Sequence, residues 1–294
     1  MPEFPDVEVY RTALAARVVG KPFAGVAIVH PFVLRTAVPP IDTVSGRNVL
    51  AVRRLGKRIV IDVDGGLHLV IHLMIAGRLR WLDKGAKAPA RITLARFDFA
   101  DGTLVLTEAG SKRRASLHLV QGADALAAFD LGGLDVFDAT PAEFRARLAS
   151  ENHTLKRALT DPRMLSGIGN AYSDEILHRA RLSPLAMTSK LDDGEFARLH
   201  DAARAVLDEW RIRLANEAGD GFPQKVTAFH AQMAVHGKFG QPCPACGSPV
   251  QRIVHAENEC NYCARCQTGG RLLADRALSR LLHKSWPRSI DELG

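Results

Sequence analysis

No stretch of this 294-residue chain reaches the ~20 consecutive apolar residues that a bilayer-crossing helix requires, so a helical membrane protein is excluded. The N-terminus lacks the basic-then-apolar pattern of a secretory leader, and a cytoplasmic, nucleoid-associated protein with no membrane partner is expected. No internal repeat and no low-complexity tract is found. Acidic residues are the minority: 32 Asp and Glu against 39 Lys and Arg leave a net charge of +7, which favours a polyanionic partner. Cysteine is also scarce, with five in the chain, but its placement is far from random.

Cys243-Pro-Ala-Cys246 is followed by sixteen residues and then Cys263-Ala-Arg-Cys266. A tetrahedral four-thiolate zinc site needs this pattern, because each pair grips the metal from one tight turn while a hairpin between them brings the pairs together. A single Cys-x-x-Cys fits redox chemistry, and four cysteines also fit disulfides. Gly247 and Pro249 after the first pair, with Asn258 and Asn261 between the pairs, point instead to a zinc ribbon. Reduced cytosolic thiols suit zinc better than disulfides. Four protein ligands leave the metal no open position, so one structural Zn2+ is expected and the chemistry must lie elsewhere.

At 47% hydrophobic residues the chain has ample material for two domains and the small metal module. Val7, Tyr10, Leu14 and Val18 keep a helical period, with Pro5 near the helix start and Asp6 and Glu8 at its positive end; a helix over about 6–18 follows. It pins the first residues against a folded body. From Phe23 to about Val120 the pattern turns to short β runs at 26–29, 49–52, 58–63, 67–71, 78–81, 91–94 and 103–106. Turn signals such as Asp64-Gly65-Gly66 and Asp101-Gly102 separate them, as in an antiparallel sandwich or barrel. The basic run Arg53-Arg54-Leu55-Gly56-Lys57-Arg58 is placed at one of the turns.

Residues 131–138 read as a linker, after which helices are expected at 141–149, 153–160, 171–179 and 194–217, the first opened by the capping box Thr140-Pro141-Ala142-Glu143. Between the second and third lies Leu165-Ser-Gly-Ile-Gly-Asn170. Backbone N–H groups at such a turn, reinforced by the helix dipole, make a phosphate seat. The same turn equally suits a helical hairpin whose Asn merely caps. A last amphipathic helix is expected at about 272–283.

Four local matches, in this order, carry a family resemblance: Pro2-Glu3-Phe4-Pro5 at the start, Lys57 in the turn before a strand, Leu165-Ser-Gly-Ile-Gly-Asn-Ala-Tyr-Ser-Asp-Glu175, and Tyr262-Cys-Ala-Arg-Cys-Gln267 closing the ribbon. Over nearly its whole length the chain resembles the formamidopyrimidine-DNA glycosylase / endonuclease VIII family of base-excision repair enzymes. The resemblance implies an α+β multidomain fold. Its parts are an antiparallel β-sandwich with an N-terminal helix (1–130), the linker (131–138), a helix-two-turns-helix domain (139–235), the zinc ribbon (236–270) and a helix with a tail (271–294). It also implies a monomer acting on damaged duplex DNA as glycosylase and AP lyase.

By similarity Pro2, freed by removal of Met1, is the nucleophile, Glu3 its acid/base partner, and Lys57 a phosphate contact that assists elimination. Lys156 and Asn170 are carried over as DNA contacts, and so is Arg113 in Lys112-Arg113-Arg114. Glu175 is assigned a structural task. The chain departs from the family pattern at Asp6, where a Glu is usual, at Met74 and Ile75, at Ala115 in place of a Phe wedge, and at Asn258 in place of a phosphate-gripping Arg. Cys260 is a fifth cysteine read as a turn residue or free thiol. These departures keep a second reading open, a DNA-binding relative without catalysis.

Overall fold

Phe4–Val18 forms α1, and it buries the expected stripe: Val7, Tyr10, Leu14 and Val18 are fully enclosed, each worth about 1.5–3 kcal/mol of burial. The computed structural model describes the chain apart from residues 111, 224, 225, 227, 228, 256, 257, 275–280, 282–286 and 294. Two compact units emerge. One comprises Met1–Leu131 with Trp210–Thr227, the other Gly132–Glu209 with Ala228–Gly294.

In the first unit α1 lies against β2 (Val49–Leu55). The strands β1 (Gly25–Ile28), β6 (Thr93–Asp98), β7 (Gly102–Glu108) and β5 (Gly77–Asp83) make one antiparallel sheet in that spatial order; β2, β3 (Arg58–Val63), β4 (Leu67–His72) and β8 (Ser116–Gln121) make the other. Alternation sorts the second sheet's faces. Ile59, Ile61, Leu69, Ile71, Leu117 and Leu119 enter the core, while Arg58, Asp62, His68, His72 and His118 take the opposite face around Val60, Val70 and Val120.

Several expectations are sharpened or corrected here. The basic run 53–58 does lie at a turn, with Gly56 and Lys57 as its hairpin tip, while Arg53 and Arg54 pair with Val60 and Ile59 inside β2. Gly56 takes φ +59°, which glycine adopts without steric penalty, and so holds Lys57 at the tip. The strand expected from Arg91 begins at Thr93, and β8 lies beyond the runs read from the sequence. A short helix α2 (Ala123–Ala127) brings Phe129 over the outer face of β8.

In the second unit α3 (Pro141–Ala149) opens with the expected box: Glu143 N donates to Thr140 Oγ1 at 3.3 Å and Thr140 N to Glu143 Oε2 at 2.8 Å. Next come α4 (Leu155–Thr160), α5 (Asn170–Ala180) and the long α6 (Asp193–Ala218), whose last turns from Trp210 belong to the first unit. The domain expected over 139–235 is thus divided, because 210–227 packs with the N-terminal residues through contacts such as Tyr10 with Phe222. Nor is 131–138 a bare linker. Leu134 bridges to Leu165, Val136 is buried, and Arg204 donates to the carbonyls of Val136 and Phe137 at 2.9 Å.

The ribbon consists of β9 (Gln251–His255) paired with β10 (Asn258–Tyr262), then α7 (Ala264–Thr268). The helix expected at 272–283 falls mostly outside the described residues; Leu272 and Leu273 are not helical and pack beside Tyr262 and Ile290. Among the described residues no helix is long and apolar enough to cross a membrane.

Candidate active site and metal centre

Because α1 begins at Phe4, the residues before it are drawn into the first unit rather than left in solvent. Pro2 is buried, and Glu3 and Asp6 are each 2% exposed. The Asp6 carboxylate reaches back one turn, Oδ2 accepting from the Glu3 N–H at 2.8 Å, which fixes Glu3 at the helix start. Its other oxygen, Oδ1, is buried with no hydrogen-bond partner. Desolvation therefore pushes the Asp6 carboxyl up to about 7, further raised by nearby Glu3. A cavity of about 410 Å³ opens beside it, lined also by Val9, Leu214, Glu217, Phe222 and Val226.

The amine of Met1 is held below the usual range for a chain terminus, chiefly by burial. Glu3 and Asp6 oppose this shift; the cations Arg78 and Lys57 reinforce it. Of the sequence-assigned residues, Glu3 and Lys57 both act on the charge of this amine, and the structure adds Asp6 and Arg78. Arg78 follows the loop Leu73–Gly77, where Met74 has φ +52° and Ile75 is 57% exposed. Gly77 is required there: a Cβ would lie 2.3 Å from the Leu73 carbonyl oxygen. Ala115 packs in the core, and Glu108 secures the loop before it by accepting from the N–H groups of Arg114 and Ala115 at 2.9–3.0 Å. Arg113 stays exposed, its guanidinium donating to the Arg91 carbonyl.

Reading by motif overlooked the outer face of the second sheet. Arg58 pairs directly with His72 across the strands, and His118 lies on the neighbouring strand beside Val70. Burial, followed by the positive charges of Arg58 and Lys57, lowers His72 to about 4, and His118 is lowered by burial, Arg58 and Arg35. At neutral pH these imidazoles are uncharged, and the face's carboxylate, Asp62, is engaged by Arg53 and His68, so Arg58 and Lys57 supply the positive charge that would seat an anion. The same-face alternation of Arg and His in β3, β4 and β8 was the available signal.

In the second unit Lys156 and Asn170 do meet, though not as two open DNA ligands. The Lys156 ammonium donates to Asn170 O at 2.7 Å, Ser173 Oγ at 2.8 Å and Asp174 Oδ1 at 2.6 Å, and Asn170 Nδ2 donates to Glu259 O at 2.9 Å. Asp174, fully buried, also accepts from His236 Nδ1 and Asn261 N. Glu175 accepts from the backbone N–H groups of Ala234, Val235 and His236 at 2.8–2.9 Å.

The Sγ atoms of Cys243, Cys246, Cys263 and Cys266 all lie within 4.8 Å of one another. Cys243 to Cys266 is 3.9 Å and Cys246 to Cys263 is 3.4 Å. Zn–S bonds of about 2.3 Å in a tetrahedron place sulfurs roughly 3.8 Å apart, so the cage fits the ion. Cys260 lies in β10, outside this group, where burial and then Asp174 raise its thiol.

Residues 1–115 match the formamidopyrimidine-DNA glycosylase N-terminal domain, 135–216 its H2TH domain, and 240–269 the zinc finger found in FPG and IleRS. A formamidopyrimidine-DNA glycosylase of Heliobacterium modesticaldum is 34% identical over 282 residues, covering 91% of this chain and all of that protein. The chain belongs to the formamidopyrimidine-DNA glycosylase family. An uncharacterized formamidopyrimidine-DNA glycosylase-like protein of Mycobacterium tuberculosis is 39% identical over 150 residues, 51% of this chain and 93% of that one. Among solved structures, a mutant Lactococcus lactis FPG in complex with a Fapy-dG containing DNA superimposes with a TM-score of 0.78 at 25% identity, covering 91% of this chain and 100% of the other. In this family member the four cysteines hold one structural Zn2+.

Proposed function

We propose that the chain is a bifunctional DNA glycosylase of base-excision repair that also cleaves the strand as an AP lyase, with Pro2 as nucleophile. Family membership supports the glycosylase reading. The observation that carries the mechanism is the enclosure of the N-terminus with Glu3 and Asp6, within electrostatic reach of Arg78 and Lys57. Removal of Met1 would leave the secondary amine of Pro2, and an amine enclosed as this terminus is becomes more readily neutral through burial, hence nucleophilic. Attack on C1′ expels the damaged base while Glu3 assists opening of the sugar ring. The resulting Schiff base of a secondary amine has no N–H to lose, so it persists as an iminium and draws electrons from the C2′–H bond. Loss of that proton expels the 3′ phosphate, and a second elimination frees the sugar.

Lys57 and the cations around His72 would seat the flanking phosphates, with Arg113 and Asn170 as further contacts. Lys156 serves DNA chiefly by holding the α5 N-terminus, since its ammonium already meets three acceptors. Zinc keeps the ribbon folded and takes no part in bond breaking. Borohydride reduction on abasic-site duplex should trap wild type covalently and fail with a variant in which an extra residue retained ahead of Pro2 blocks its nitrogen. An undiminished adduct in that variant would remove Pro2 as nucleophile; no adduct with wild type would leave a DNA-binding protein without catalysis.

A further inference from the structure

His178 lies on α5, one turn beyond Asp174 and on the same helical face, and that face is fastened to the ribbon. Its Nε2 sits 3.2 Å from Sγ of Cys243. The neighbouring anchors leave little freedom to move away: Glu175 holds residues 234–236, Asp174 holds His236 and Asn261, and Gln267 Nε2 donates to Leu182 O at 2.9 Å. Cys243 itself is almost fully buried, its N–H donating to Ser248 O.

We infer that His178 is a positioning residue of the zinc centre, donating its Nε2–H to the Cys243 thiolate. The chemistry of the contact decides the direction. A zinc-bound cysteine has lost its proton, so its sulfur can only accept, and a neutral imidazole satisfies it only when the proton is on Nε2. The bond spreads part of the thiolate's charge onto the imidazole and makes the sulfur a poorer target for protons and electrophiles, the two agents that strip zinc from thiolates. It also links metal retention to α5, the helix that carries Asn170 at its start. His178 is not a ligand: the metal-binding group comprises the four cysteines alone among the described residues.

The inference rests on the zinc site, and the test separates the two. Full-length wild type should purify with one equivalent of zinc; a metal-free protein would refute the site and the hydrogen bond with it. In competition with a chromogenic chelator, His178→Phe, which keeps a ring but no N–H, should hold zinc about 10–100-fold more weakly. Equal affinity would overturn the hydrogen bond while leaving the metal site intact. A second measurement needs no variant. In wild type loaded with cadmium-113, NMR should show scalar coupling between the metal and the imidazole Hε2 proton, a signature that mere packing cannot produce. A ring protonated only on Nδ1 would sink the inference.

Discussion

Each unit buries a pair of acidic residues close together in sequence, and the two pairs are treated in opposite ways. Asp174 and Glu175 are saturated: an ammonium, an imidazole and four backbone N–H groups meet them. In Glu3 and Asp6, by contrast, one oxygen of Asp6 is enclosed without a partner beside an open cavity, and the Asp6 carboxyl is pushed up to about 7. Burying a polar group without a partner costs about 1–3 kcal/mol, so the second arrangement survives only where something other than stability retains it. The contrast separates scaffold from site without reference to any motif.

The largest effect should come from breaking the saturated pair. Glu175→Ala orphans three backbone donors in a nearly dry environment, and the second unit should lose at least about 3 kcal/mol, read by urea denaturation of the zinc-loaded protein. A loss below about 1 kcal/mol would mean that water replaces the carboxylate freely, and the contrast between the pairs would collapse.

What could be read from sequence was what has a fixed spacing. The stripe Val7, Tyr10, Leu14, Val18, the Thr140–Glu143 box and the paired cysteines each declare themselves within a few residues, since their geometry is local. Hidden features depend on partners far along the chain. His178 meets Cys243 sixty-five positions away, and Glu175 meets residues 234–236. Residues 210–218 continue a helix begun in the other unit, so their periodicity shows no break. Arg58, His72 and His118 share a sheet face only once the strand register is known. Lys156 illustrates the limit of motif transfer: the residue stands where the resemblance places it, yet its donors are turned inward.

A smaller effect is expected at Asp6. Its folded-state carboxyl titrates at about 7 against 3.8 for the free group, so between those values the folded protein binds more protons than the unfolded chain. Stability from this residue is therefore fully present below about pH 4 and is lost as pH rises through 7. Asp6→Asn keeps an acceptor for the Glu3 N–H and cannot ionise. Melting temperatures of wild type and variant should agree near pH 4.5 within a small offset and separate by pH 8, where the variant becomes the more stable. A gap that stays constant across this range would place Asp6 among the satisfied acids and erase the distinction between the two pairs.

The smallest effect falls on Lys57, and it tests whether the site's cations serve DNA rather than the fold. Lys57 occupies a two-residue hairpin tip whose conformation is set by Gly56, so Lys57→Ala should change stability by no more than about 0.5 kcal/mol. If it neutralises a phosphate, the slope of log affinity against log salt should become shallower by about 1, measured by fluorescence anisotropy on abasic-site duplex. The loss in affinity should be largest at low salt and shrink as screening grows. A parallel shift, with slope unchanged, would mean that Lys57 acts by shaping the hairpin. The unsaturated region would then touch DNA through its neutral groups, and the sheet face around Arg58 and His72 would have to supply the cationic contact.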